Sequence, residues 1–249
     1  MYAHQIIHPS GCQNIYLAFH RKPEGYDFIG LCRPQQMNST LVGRMTSAER
    51  RGLAVNFDVV HAGVSHAFSQ KVVRLQNPIL LLEQGLQTGN PTLAMLMFVM
   101  GLDVLFMAGD KVSFVTRAAG FLGLNSYVFP QVLSFDFQPL ITVGEVAADL
   151  YDLRNLIAHG QEIPKHPFRQ EYDVTRITGP GVAHLPCSYV DVLMEAGLFM
   201  LTGSLAKIFK DGLYADVGNA TKWRATMNRS EHRFKDSGGV LDSSRRSTR

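Results

Sequence analysis

Apolar residues recur at steps of three and four along most of the chain after residue 75, and at steps of two in places before it. Val143, Val146, Ala147, Leu150, Leu153, Leu156 and Ile157 form the clearest helical run, from Thr142 to a stop at Gly160, with Pro164 soon after. Glycine takes the left-handed position past a helix end without steric cost, so Gly160 marks that terminus. Val190, Leu193, Met194, Leu198, Leu201, Leu205 and Phe209 predict a second long helix over Tyr189–Lys210. Asn77-Pro78 reads as a cap plus first-turn proline for a helix from Ile79 to Leu86. Asn90-Pro91 restarts the chain, and Asp110 caps a helix through Arg117 to Leu122. Thr92–Ala108 is apolar at nearly every position. Spanning a bilayer takes ~20 such residues, and Asp103 inside the run would be costly in lipid. The segment is therefore read as a helix buried on nearly all sides, in a bundle core or a dimer interface, with no membrane span.

The first 75 residues have a different texture. Ile15–Phe19 and Tyr26–Leu31 are aromatic and β-branched runs around a polar loop holding Pro23 and Gly25, which predicts a hairpin. Thr46–Arg51 with Gly52 reads as a short capped helix. Leu53–Val60 alternates with period two and reads as another strand. Gln161–Pro186 is a polar, Pro- and Gly-bearing insertion in which Glu171–Ile177 is a further strand candidate. After Gly218 the periodicity fades, and Ser230–Arg249 is expected to be disordered. The predicted fold is mainly α: a helical bundle preceded by a small β-containing N-terminal segment, α+β overall. The expected regions are 1–75, 76–217 and a basic tail, 218–249.

Composition changes little in this picture. Hydrophobic residues make up 46% of the 249 and charged ones 18%, enough for a sizeable core. The net charge of +3 is unevenly spread. From Lys222 to Arg249 there are eight Lys or Arg against three Asp or Glu, while the preceding residues carry 16 basic and 18 acidic ones. The basic close is read as a solvated end; as a nucleic-acid contact it would give salt-sensitive binding lost on deleting residues 220–249. Cys12, Cys32 and Cys187 are odd in number and contain no C-x-x-C pair. With no basic-then-apolar signal peptide at the N-terminus, a reducing cytoplasm is the expected location. His4-x-x-x-His8 with Cys12 and Cys32 has metal-like residue types, but Pro9 interrupts it and no second block completes it, so no metal or other cofactor is assigned. No phosphate-cradling glycine loop is present.

Candidate chemistry concentrates in Tyr151-Asp152-Leu153-Arg154-Asn155-Leu156-Ile157-Ala158-His159-Gly160, where a strong base, an amide and a histidine fall at a helix end. At ~100° per residue, Asp152, Asn155 and His159 share one edge, and Arg154 stands roughly 140° round from His159. An architectural explanation also fits. A last-turn histidine favours the helix dipole, and Arg154 can snorkel or pair with Glu145 or Asp152.

Arg154-Asn155-x-x-x-His159 resembles the Arg-Asn-x-x-x-His signature of the HEPN domains (higher eukaryotes and prokaryotes nucleotide-binding). The words Leu150–Asn155 running into His159-Gly160 are similar to the ApeA-like branch of that superfamily. Thr116-Arg117-Ala118-Ala119-Gly120-Phe121-Leu122-Gly123 resembles a second block of that branch. Gly101-Leu102-Asp103-Val104-Leu105-Phe106 resembles its first helix, with Asp103 where an acidic residue is usual. The resemblance covers roughly residues 75 to 215. It implies a HEPN-like helical bundle acting as a homodimer, with two motifs facing across a cleft, and a metal-independent endoribonuclease with RNA as substrate, in defence or stress response. It identifies no inhibitor or sensor partner.

In the roles it implies, Arg154 stabilises the anionic phosphorane and His159 is the general acid/base. Asn155 positions substrate, and Asp103 or Asp152 orients Arg154. The alternative is a non-catalytic HEPN-like module that binds nucleotides or only dimerises, with the motif as a relic holding the helix end.

Overall fold

A computed structural model describes residues 47–88, 90–123, 143–161 and 189–237, plus the backbone of 16–22, 25–32, 175–176 and 185–186. Side chains are described within 58–237 only, and not at 91, 145, 189–192 or 195. The described part is mainly α. Its eight helices are α1 (Ser47–Ser69), α2 (Val73–Gln87), α3 (Pro91–Phe106), α4 (Lys111–Leu122), α5 (Val143–Ala158), α6 (Tyr189–Lys210), α7 (Tyr214–Gly218) and α8 (Ala220–Asp236). For the expected hairpin, backbone alone is described: Tyr16–Lys22 runs antiparallel to Gly25–Cys32. In the insertion, Thr175–Arg176 pairs with Leu185–Pro186, and the rest of Glu171–Ile177 lies outside the described residues. The histidine and cysteine cluster of the first 32 residues lies outside the described side chains.

The helix α3 sits at the centre because its sequence leaves it little choice. It packs against α2, α6, α5 and α4, and Met95, Phe98, Val99, Leu102, Leu105 and Phe106 are fully buried. Asn90 starts it, the side chain accepting from the Thr92 and Leu93 amides at 3.0 and 3.2 Å. Contrary to the expectation of burial on nearly all sides, one edge stays open: Leu93 and Met100 are 40% and 41% exposed. No single described helix is long and apolar enough to cross a membrane.

Leu53–Val60 is not a strand but the middle of α1. Eight alternating residues fit both periods; the buried series Val60, Val64 and Ala67 that follows carries the helical one. Gly52 therefore does not stop the short helix begun at Ser47. The helix expected to start at Asn77-Pro78 starts at Val73, so Pro78 lies inside α2, where it is buried.

The basic tail also departs from the expectation. Residues 220–236, read as a stretch of fading periodicity with disorder from Ser230 onward, form α8. Trp223, Met227, Ser230 and Phe234 are its buried stripe, at steps of four, three and four. Only three of these are large and apolar, so the signal is narrow in a strongly polar segment. The Asn219 side chain caps the helix by accepting from the Thr221 and Lys222 amides, both at 3.1 Å. The helix lies directly on α4 at Gly120. A Cβ on Gly120 would stand 1.8 Å from the Ser230 carbonyl oxygen, so only glycine permits that approach. Residues 238–249 lie outside the described residues.

Candidate functional site at the ends of α3 and α5

Helix α5 ends as the sequence predicts. Gly160 has φ 64°. Its amide donates to the Ile157 carbonyl at 3.0 Å, and the Gln161 amide donates to Leu156 at 2.8 Å. These two bonds satisfy carbonyls that a helix end otherwise leaves unpaired. Val143, Val146, Ala147, Leu150 and Leu153 are buried and set the rotation of the helix. That rotation turns Arg154 toward α3.

The guanidinium of Arg154 is held from three directions. Nη2 lies 3.1 Å from Oδ2 of Asp103, in the last turn of α3. Nη1 donates to the side-chain oxygen of Asn155 at 2.8 Å. The group also stands over the Tyr151 ring, 5.4 Å from its centroid, within range for a cation–π attraction. Tyr151 is itself packed on Phe114 of α4. A guanidinium only donates, so the Asn155 oxygen is the atom facing it, and the Asn155 amide nitrogen has no acceptor among the described residues. Among the described residues, Nη1 is spent on Asn155 and Nη2 faces the Asp103 carboxylate.

Asp103 is a strained partner in the electrostatic sense. Burial raises its carboxyl from 3.8 to about 6, with the Arg154 charge acting in the opposite direction. Oδ1 is buried and has no hydrogen-bond partner among the described residues. The helix end that carries it is nevertheless firmly tied. Met107 terminates α3 in the left-handed conformation, φ 52°, its amide donating to the Asp103 carbonyl. Arg117 Nη1 donates to the Phe106 and Met107 carbonyls at 3.1 and 2.8 Å, and its Nε to Glu231 of α8 at 2.9 Å. Trp223 Nε1 donates to the Leu105 carbonyl at 2.6 Å.

Asp152 does something else. Its carboxylate pairs with Lys111 at the start of α4 and makes no contact with Arg154 among the described residues. His159 shares the Asp152 edge of α5 within ~20° and is exposed. Its backbone amide continues the helix by donating to Asn155 at 3.0 Å. Among the described residues, no side-chain contact joins His159 to Arg154 or Asn155. The end of α5 thus straddles the junction of α3 and α4: Asp103, Arg154 and Asn155 are brought together on one side, Asp152 and Lys111 on the other, and His159 stands at the rim.

Two residues of this cluster were given no role in the sequence reading. Tyr151 lies three residues before Arg154, a spacing that puts the two on one helix face, and was available as a signal. Lys111 had no local signal, because its partner lies on another helix. No group of three or more His, Cys, Asp or Glu is placed to hold a metal ion among the described residues.

No protein-family model, curated protein or solved structure matches the chain.

Proposed function

We propose that the chain is a metal-independent endoribonuclease of the HEPN type, acting on RNA as a homodimer. The observation that carries this reading is the Asp103–Arg154 ion pair at 3.1 Å. It brings the acidic residue of one sequence block onto the arginine of another, beside the asparagine that follows it. The wider setting, an HEPN-like bundle with a β-containing N-terminal segment serving defence or stress response, belongs to the same proposal.

The chemistry needs few groups. RNA supplies its own nucleophile, the 2′-hydroxyl. His159 removes that proton as the 2′-oxygen bonds to phosphorus. The phosphorane that forms is anionic, and the unspent N–H donors of Arg154 stabilise it. The Asn155 amide nitrogen holds a phosphate oxygen. The bond from phosphorus to the 5′-oxygen then breaks, and that oxygen takes a proton from an imidazolium, leaving a 2′,3′-cyclic phosphate. Asp103 positions Arg154, a task the sequence left open between Asp103 and Asp152. An exposed histidine suits a polymeric substrate, which needs no closed pocket.

The test is cleavage of labelled RNA in the presence of a chelator, with product ends analysed, by wild type, Arg154→Ala and His159→Ala. Both variants are expected to keep their helical signal and oligomeric state and to lose at least ~100-fold in rate, the scale of removing an acid/base or an electrostatic stabiliser. Cleavage retained in both overturns the assignment. A second reading, a nucleotide-binding or dimerisation scaffold without catalysis, is favoured by one observation: His159 makes no side-chain contact with Arg154. A wild type that dimerises or binds nucleotides but cleaves no RNA selects that reading.

A further inference from the structure

Because residues 220–236 are a helix, their cations are held on a surface with a fixed layout. Trp223, Met227, Ser230 and Phe234 face the bundle and are buried. Lys222, Arg224, Arg229, Arg233 and Lys235 are all exposed. At ~100° per residue, Lys222, Arg229 and Arg233 lie within ~40° of each other along one flank, and Arg224 and Lys235 within ~20° along the opposite flank. Asn228 and His232 stand on the exposed surface between them. At ~1.5 Å per residue, the three cations of the first flank extend over roughly 16 Å.

Little on the protein neutralises this face. Glu231 is committed to Arg117. Lys222 meets Asp216 at 3.9 Å, a long surface pair that binds weakly. Arg229 donates to Thr226 at 3.0 Å, an uncharged partner. Arg224, Arg233 and Lys235 have no carboxylate partner among the described residues. Asp236 is the remaining exposed acid on the helix.

We infer that the outer face of α8 is a docking surface for single-stranded RNA, whose phosphates it grips electrostatically. This rests on the reading of the chain as an RNA-acting protein, but it concerns a separate surface. Three features favour a polynucleotide. A regular polyanion matches two cationic flanks with polar residues between them. A helix that lies on a lipid surface needs an exposed apolar face, and every large apolar residue of α8 is turned inward. Arginine, three of the five cations, suits phosphate better than lysine does. The helix is also tied, through Trp223–Leu105 and Glu231–Arg117, to the end of α3 that carries Asp103. RNA held on α8 is therefore held by an element rigidly joined to the proposed reacting centre.

The test is binding of a fluorescent single-stranded oligoribonucleotide by the full-length protein over a series of salt concentrations. The wild type is compared with the combined variant Lys222→Gln, Arg229→Gln, Arg233→Gln and Lys235→Gln, whose side chains are all exposed. Vesicles containing phosphatidylserine are titrated in parallel. Each phosphate contact to a single strand contributes ~0.7 to the slope of log affinity against log salt. Removing four contacts should therefore flatten the slope by about 3 and weaken binding at least ~10-fold at about 0.1 M salt. An unchanged affinity and slope, no RNA binding by the wild type, or a variant that loses vesicle binding alone each overturns the inference. The two claims fail separately, since binding is read on the intact oligoribonucleotide and cleavage on its product ends. If the wild type binds the oligoribonucleotide but cleaves no RNA, the nuclease reading fails and the α8 surface stands.

Discussion

Asp103 and Arg154 meet at 3.1 Å across the contact between the last turn of α3 and the end of α5. Neither is fully buried, at 15% and 30% side-chain exposure, so the pair is partly dehydrated yet reachable from outside. The carboxylate is the uncomfortable member. Desolvation raises its pKa to about 6 against the lowering effect of Arg154, and one oxygen has no donor among the described residues. Such a pair sets the place of the guanidinium at a cost in desolvation.

The raised pKa gives a signed stability prediction. A carboxyl that titrates near 6 when folded and at 3.8 when unfolded binds its proton more tightly in the folded state. Its stabilising share is complete below pH 3.8 and is lost as pH rises through about 6. Asp103→Asn does not titrate. The stability of the wild type minus that of the variant should therefore fall across that interval by on the order of 2–3 kcal/mol and be flat above it. Urea unfolding of both proteins at stepped pH measures the difference; a gap that widens with rising pH would mean that the ion pair outweighs burial.

Gly120→Ala tests the seating of α8. The new Cβ would meet the Ser230 carbonyl oxygen at 1.8 Å, a backbone atom that cannot rotate away. Overpacking of this kind destabilises by roughly 1–3 kcal/mol or more, or forces the helices apart. Trp223 is the chain's single tryptophan and is fully buried, so it reports the outcome directly. The variant should show red-shifted tryptophan emission and faster proteolysis within residues 220–236. Emission identical to that of the wild type would show that α4 and α8 do not cross so closely.

Trp223→Phe removes the bond that ties α8 to α3. The indole N–H satisfies the Leu105 carbonyl at 2.6 Å, a group in the last turn of α3 with no successor turn to pair it. The loss combines an unmet buried acceptor with a small cavity and should total roughly 2–4 kcal/mol. A thermal melt checks it. Because the bond ties α8 to the segment carrying Asp103, RNA cleavage should also fall by more than the stability loss explains.

What could be read from residues alone followed the width of each signal. The end of α5 was legible to the residue, because Gly160 and seven periodic apolar positions agree. The last long helix, α6, was legible for the same reason. The helix α8 was not, since its three large apolar residues sit among many charges and its stability comes from contacts with α4. The strand expected at Leu53–Val60 failed because eight residues cannot separate two periods, and the buried positions that decide come later in α1. At the site, grouping Arg154 with Asn155 needed only their adjacency. Choosing Asp103 over Asp152 as the partner of Arg154 needed the rotation of α5 against α3. The Lys111–Asp152 pair needed a third helix, and no spacing rule reaches that far.

That choice between two carboxylates makes the sharpest comparison. Asp103 touches Arg154; Asp152 is engaged by Lys111, whose side chain is 42% exposed. An ion pair that open is worth about 0–1 kcal/mol and constrains its neighbours weakly. Asp103→Asn removes the charge that fixes the guanidinium and should lower RNA cleavage by about 10- to 100-fold, with the loss in kcat rather than KM, as for any group that acts by holding another in its transition-state position. Asp152→Asn should change kcat less than about threefold and melting by a degree or two. Asp103→Glu, which keeps the charge on a longer arm, should recover part of the loss. Steady-state cleavage by the three variants decides the matter: equal losses for Asn at both positions would mean that Arg154 is oriented by the whole junction of α3, α4 and α5, and a loss confined to Asp152→Asn would move the positioning role to the edge that carries His159.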